Sequence, residues 1–542
     1  MTKNYSFSLF LLTFVFAQVL SAQQFSITDK LVPSDRDPAD FFGTDLDIEG
    51  DIALISAIGD DEDENGNALL SNAGAAYIFE RTASGEWEQT QKIVASDRVE
   101  EGAFGLAVAI SGNYAIVTTI REERDASGEN VIDDAGAAYV FERMPNGTWE
   151  EVQKLVASDR SLEDRFGRDV AIFGEYAVVT AADEDEDANG ENLLVNAGAA
   201  YVFKRNASGV WEEVQKLVPS DRTANDLFGF SVAINQDYIL IGAHAKDEEV
   251  AGTLESSVGA AYFFKKSNAD IWEEEQKVMP TNPGFRYFFG RDVSLSDDLA
   301  LVSAAEESFD APMGDTVVAR AGAAYVFHRD NTGNWSLEQR LISSDPDGND
   351  YFGHKLDLEL PYAFIGAYGD SEGVNEGNSM PNAGAAFVFH RGNDGTWTQM
   401  QKLVAYDRDE SNLYGQGVAI SNGHLLISAS RNGTEEDGSN PIALAGAAYS
   451  YELMTTSLSA NTFEVEPTLY PNPTIGPLLI DLRQNYATVT AKLFTAAGQL
   501  VYQREFEQTD QLSLRIDGAP GVYWLQLEVN DGQTGTWGII KE

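Results

Sequence analysis

Two stretches of the sequence set alternate oxygen-bearing side chains ahead of a glycine: Asp61-x-Asp63-x-Asn65-Gly66 and Asp185-x-Asp187-x-Asn189-Gly190. Oxygens at every second position can converge on one hard cation, and the glycine permits the sharp turn. Calcium is therefore the cofactor that Asp61, Asp63, Asn65, Asp185, Asp187 and Asn189 could take. The twelfth positions hold Asn72 and Asn196 instead of a bidentate Glu, so neither loop is a helix-flanked calcium site. A solvated acidic loop is the competing reading. A third stretch departs from its surroundings differently. Ser-Asp-Arg recurs at Asp35-Arg36, Asp97-Arg98, Asp159-Arg160 and Asp221-Arg222, which reads as a regular ion pair. Where the next copy is due, Pro280 to Tyr287 intervenes, placing Phe285, Arg286 and Tyr287 among acidic neighbours. Function often sits where regularity fails, so these three are candidate ligand-binding residues.

Other chemistries are excluded by composition. There is no Cys, which removes thiolate catalysis, thiolate metal sites and disulfides. The five His (His244, His328, His354, His390, His424) show no common register, and no catalytic set of the Ser-His-Asp or phosphate-loop kind is present. A net charge of -51 disfavours nucleic acid and anionic lipid as partners.

The elements that must position the loops follow from a repeat. An aromatic followed by Gly recurs at Phe42, Phe104, Phe166, Phe228, Phe289, Phe352 and Tyr414, at spacings of 61 to 63 residues. Gly-Ala-Ala before an aromatic recurs in phase at Gly74, Gly136, Gly198, Gly259, Gly322, Gly384 and Gly446. Two markers each give seven units, and a fixed period of this length means a repeat architecture. Within one unit four runs rich in Val, Ile, Tyr, Phe or Trp (104–110, 114–119, 137–143, 149–154) are bounded by Gly, Asn or Asp, the signature of strands and turns. The fold class is all-β: a seven-bladed β-propeller, followed by a small C-terminal β-sandwich. The seventh unit lacks its fourth strand while residues 25–32 supply an unmatched Lys30-Leu31-Val32, so the N-terminal strand should complete the last blade and leave no open edge. The strand-four Trp residues, from Trp87 to Trp397, recur at one register and read as core. In a four-stranded meander the loops joining strands two and three share a face with the links between blades, and there the acid concentrates.

The units resemble FG-GAP repeats of the integrin α-subunit head, with Phe-Gly at strand one, Ile241-Gly242-Ala243 and Ile365-Gly366-Ala367 at strand two, and Gly-Ala-Ala-Tyr at strand three. The calcium loop of integrin-type repeats lies between Phe-Gly and strand two. Here that connection is a tight turn such as Ser111-Gly112-Asn113, so those sites do not carry over. Farther on, Tyr470-Pro471-Asn472-Pro473, Ala496-Ala497-Gly498 and Gly521-Val522-Tyr523 resemble the C-terminal sorting domain of the Bacteroidetes type IX secretion system. That resemblance implies the type IX machinery as a partner and a location at the cell surface or outside the cell. Residues 1–22 read as a secretory signal, with Lys3, an apolar run and Leu20-Ser21-Ala22. No later stretch is apolar enough to span a bilayer as a helix. The expected organisation is a signal peptide (1–22), a propeller (23–453), a linker (454–467) and a sorting domain (468–542). Three functions stay open: a surface binding or adhesion module for a protein or glycan, with calcium as its candidate stabiliser; a polysaccharide-active hydrolase or lyase; and a structural envelope protein. The first is favoured, and an enzyme is not expected.

Overall fold

In a computed structural model the described residues are 23–67, 69–310, 317–374, 379–434, 441–455, 463, 467–471, 474, 476–495, 500–516, 521–530 and 533–541. The leader expected over 1–22, most of the expected linker, and the Asn472-Pro473 and Ala496-Ala497-Gly498 turns lie outside them. Ile27–Glu452 forms one compact unit, and a second contains 453–542.

The first unit is a ring of seven four-stranded sheets, six of them simple meanders in chain order. Blade two shows the pattern: Val108–Ser111, Tyr114–Thr119, Ala137–Arg143 and Trp149–Leu155. Strands two and three are buried on both faces because each sheet is sandwiched between two others, which is why they read as unbroken apolar runs. The outer strand four alternates instead, with Trp149 and Leu155 buried and Glu150 exposed.

In blade two strand one is shorter than the 104–110 run expected from sequence and Phe-Gly precedes it, whereas in blades one and four Phe-Gly opens the strand, at Phe42–Glu49 and Phe228–Ile234. Gly105 has φ +101°, and the amides of Gly105 and Leu106 both donate to Thr118 O, at 2.9 and 3.2 Å. Two amides on one carbonyl break the ladder as a bulge does, so regular pairing resumes only at Val108.

The two repeat markers meet in space. Gly136 of blade two bridges Phe166 of blade three, and a Cβ on Gly136 would lie 1.9 Å from Phe166 O. The same contact recurs around the ring, ending with Gly446 against Phe42. Glycine is obligatory where backbone meets backbone this closely.

The seventh sheet orders Gln23–Leu31, Ala447–Thr455, His424–Ala429 and Val418–Ser421 as neighbours, so the N-terminal strand does supply the missing outer strand. Thr28 Oγ1 bonds Ser450 Oγ at 3.0 Å across the join.

In the second unit, Thr468–Tyr470, Pro477–Thr495, Leu500–Arg515, Gly521–Val529 and Thr534–Lys541 enclose their own core. The longest strand slips register between Asp481 and Tyr486. Its buried positions change from Leu478, Ile480 and Leu482 to Val489, Ala491 and Leu493 across the slip, which keeps one face apolar. Phe463, inside the stretch expected to be linker, packs on Tyr486 and Trp537 in this core.

Candidate functional site

The face carrying the two-to-three loops is built from one repeated cluster. In blade three the linker carboxylate of Asp159 accepts from Lys216 Nζ at 2.7 Å and from Tyr201 Oη at 2.8 Å. Glu184, the buried first acid of the two-to-three loop, stands 3.1 Å from the same Lys and accepts from the same Tyr at 2.8 Å. Blade two repeats this with Asp97, Lys154, Tyr139 and Glu122, and blade one with Asp35, Lys92, Tyr77 and Asp60. The aspartate of Ser-Asp-Arg thus pairs with a strand-four lysine and not with its neighbouring arginine. That arginine reaches back instead to a carbonyl of the preceding blade's loop, as Arg98 does to Asp61 O at 2.7 Å and Arg222 to Asp185 O at 2.9 Å. Burial alone would raise the Asp97 carboxyl, but the Lys154 and Tyr139 hydrogen bonds hold it below the usual range.

Six of the seven junctions keep a linker aspartate on a cation: Asp35, Asp97, Asp159, Asp221, Asp345 and Asp407, each 2.6 to 2.8 Å from a lysine. The seventh of these lysines' places, in blade five, breaks the rule. Asn282 occupies the aspartate register, seven residues before Phe289, and strand four carries Arg340. Arg340 Nε and Nη2 both lie against one oxygen, Glu307 Oε1, at 2.9 and 2.7 Å, and Tyr325 Oη donates to Glu307 Oε2 at 2.8 Å. Burial raises the Glu307 carboxyl, with Arg340 opposing. A cavity of about 320 Å³ opens here, lined by Asn282, Tyr287, Glu307, Phe309, Tyr325 and Arg340 among others. Of the three residues singled out by sequence, Tyr287 lines this cavity. Phe285 is 61% exposed, with the Arg286 guanidinium 5.5 Å from its ring centroid. Asn282, Arg340 and Glu307 were missed, although aligning each linker against its Phe-Gly exposes the Asp to Asn exchange.

The acidic loops of blades one and three close on themselves. Asp63 Oδ1 accepts the amides of Asn65 and Asn67, both at 2.9 Å, and Asp61 Oδ1 accepts that of Asn72 at 2.7 Å. Asp187 accepts from Asn189 at 2.8 Å and Glu191 at 3.0 Å, and Asp185 from Asn196 at 2.7 Å. These backbone bonds lower the Asp63 carboxyl, and the Asn192 side chain heads the same effect on Asp187. Asn65 donates its side chain to Glu64 at 3.1 Å. The amide bonds to Asp61, Asp63 and Asp185 fall on Oδ1 and fold each loop over its own carboxylates. Among the described residues, Asp159, Glu184 and Glu186 do converge, but Lys216 stands against the first two.

Two other concavities carry charged groups. One, of about 880 Å³, lies between blades two and three. Several of its polar groups are already paired: Lys154 with Asp97, Asp159 with Lys216, Arg160 Nη2 with Glu123 O and Glu213 with Ser158. The axial channel holds Asp45, Asp169 and Asp292 around Lys355, with Arg168, Arg291 and His354 at its mouth. Lys355 Nζ is 3.4 Å from both Asp45 and Asp292. Each aspartate also ties its blade to the next, as Asp292 Oδ2 does by accepting from Leu356 N at 2.6 Å. Burial pushes Asp292 up to about 7 and Asp169 to about 6.

Comparison with known proteins places these features in a family. The model of the FG-GAP repeat matches seven segments, 25–79, 87–141, 149–203, 211–264, 272–327, 335–389 and 397–451. The model of the secretion system C-terminal sorting domain matches 468–541. Integrin alpha-6 of Gallus gallus is 23% identical over 209 residues, covering 36% of this chain and only 17% of that protein. A solved structure of a protein from Lactobacillus plantarum superposes with a TM-score of 0.43 at 9% identity, over 86% of this chain and 99% of that one. No helix among the described residues is long and apolar enough to cross a membrane. The chain belongs to the FG-GAP repeat family, and its type IX sorting domain directs it across the outer membrane to the cell surface or the extracellular space.

Proposed function

We propose that the propeller is a binding module, displayed or released by the secretion machinery, that engages a ligand at the blade-five junction. One observation carries this reading: there the buried carboxylate–cation–phenol packing is left incomplete, and a cavity walled by aromatic and polar groups takes its place. The reading takes the acidic loops of blades one and three as self-closed and solvated, without calcium. Calorimetry of the full chain in calcium and in chelator should give the same melting temperature. A rise of several degrees in calcium, the mass-action signature of a bound ion, would restore the metal to those loops. For the ligand site, immobilised protein is screened against glycan and protein panels, with Tyr287→Ala and Arg340→Ala alongside. Binding that both substitutions weaken at least tenfold supports the proposal; turnover of a polysaccharide would favour the hydrolase or lyase reading.

A further inference from the structure

The repeat supplies its own template for what belongs in the blade-five cavity. In blade three one lysine serves two carboxylates, the linker's and the loop's, with a tyrosine hydroxyl touching both. Blade five keeps the cation, the tyrosine and the loop acid as Arg340, Tyr325 and Glu307, but replaces the linker carboxylate by the amide of Asn282. It is one carboxylate short, and space is left where that group stands elsewhere. A second acid beside Glu307 is no obstacle, since paired acids around one cation are the rule in this ring. Arginine also suits the task better than lysine. Its planar fork can hold two carboxylates on two edges; Arg340 Nε now bonds Glu307 Oε1, while Nη2 lies 2.7 Å from that same oxygen without a hydrogen bond of its own. The Arg340 guanidinium carbon also stands 4.6 Å from the centroid of the Phe309 ring, a cation–π contact.

We infer that this cavity binds a carboxylate from outside the protein, carried on a sugar ring: a uronate unit of an acidic glycan. The carboxylate takes the place of the missing aspartate, between Arg340 and the Asn282 amide. The ring lies in the space bounded by Tyr287 and Phe309. A volume near 320 Å³ sits at the small end of ligand pockets, ~300–1,000 Å³, which fits one six-membered ring and not an extended acidic peptide. Long-range electrostatics add a signature. The chain's net charge of -51 repels a polyanion before contact, so added salt should strengthen binding by screening that repulsion.

This inference rests on the blade-five junction being the ligand site, and the test separates the two. Calorimetric titration of the full chain uses glucuronate and galacturonate oligomers, acetate, and a neutral glucose oligomer. The variants are Asn282→Asp, which restores the internal carboxylate, and Tyr287→Ala. Uronate oligomers should bind, at least tenfold more tightly in 0.2 M than in 0.02 M salt. Asn282→Asp should reduce that binding at least tenfold while the melting temperature holds or rises, which excludes unfolding as the cause. Acetate binding as tightly as uronate would overturn the sugar assignment. Neutral oligomer binding lost in Tyr287→Ala but kept in Asn282→Asp would overturn the carboxylate while leaving the site. Uronate binding indifferent to both variants, or no binding by any probe, would overturn the inference.

Discussion

Lys154 lies almost wholly out of solvent with Asp97 at 2.7 Å and Glu122 at 3.2 Å, so its removal leaves two acids facing each other without a cation. Lys154→Met should cost about 3 kcal/mol of stability at neutral pH, the usual price of breaking a buried pair. The sign of the pH dependence follows from Asp97, whose folded carboxyl is held below its ordinary range. Its contribution is present above that range and lost as the pH falls through the folded value, so the deficit of the variant should shrink below about pH 4. Chemical denaturation of both proteins at pH 7 and pH 3.5 checks this. A second residue-scale device is the strand-four glutamine. Gln153 donates to Trp211 O at 2.7 Å and accepts from Trp211 N at 2.9 Å, joining blade two to blade three like an extra backbone unit. Gln153→Leu loses both bonds, about 2 kcal/mol, whereas Glu150→Gln on the exposed side of the same strand should change the denaturation midpoint little. At this scale the Trp register and the Phe-Gly and Gly-Ala-Ala markers were legible because each is a local pattern. The Asp–Lys pairs were not, because their partners stand 57 residues apart in chain order and an adjacent arginine offered a nearer counterion.

The element that closes the ring is a single strand, Gln23–Leu31, and Lys30 is its fastening. Its ammonium takes Asp407 at 2.6 Å and Asn432 at 3.0 Å, reproducing with a residue from the far end of the chain the cluster that strand four supplies elsewhere. Removing residues 23–32 should expose the free edge of Ala447–Thr455. The expected outcome is a lower melting temperature together with concentration-dependent association, read by calorimetry and light scattering; an unchanged monomer would contradict the role given to this strand. This closure could be foreseen because a missing strand at one end matched a spare one at the other. The start of strand one could not, because the bulge depends on how Gly105 and Leu106 share the Thr118 carbonyl, and no residue type announces that. The break before blade five was visible as a lapse in Ser-Asp-Arg. That it left a cavity depended on Arg340, which stands where the other blades carry lysine, and on Glu307, which is regular in position and changed only in what surrounds it.

For the whole ring the controlling feature is the axial set of acids. Asp169, Asp292 and Asp47 have carboxyls pushed up to about 6, 7 and 7 by burial. The folded ring therefore takes up protons in a window where the unfolded chain does not. That stability is complete below the ordinary carboxylate range and is lost as the pH rises through 6 to 7. Asp97, Asp221 and Asp407, whose carboxyls are held below their ordinary range, against burial, by hydrogen bonds from lysine and tyrosine, impose the opposite slope lower down, so the melting temperature should peak near about pH 5 and fall toward pH 8. Lys355→Met should steepen the fall on the alkaline side, since it removes the ammonium that Asp45 and Asp292 share. A flat profile from pH 5 to 8 would contradict the burial of these groups. Asp45, Asp169, Asp292 and Lys355 share a register three residues after the aromatic of Phe-Gly, and Asp47 lies two further on; the cluster was not legible in the sequence because the same register also holds Ala107, Ser231 and Gly417.

The join in blade seven has a mechanical corollary. The polypeptide leaves the ring through Ala447–Thr455, which is laddered on both flanks, to His424–Ala429 on one side and Gln23–Leu31 on the other. Traction applied through the tail is therefore shared by two rows of bonds and does not peel an outermost ribbon, and a toroid tethered by that end would resist shear better than one whose exit lay at a rim.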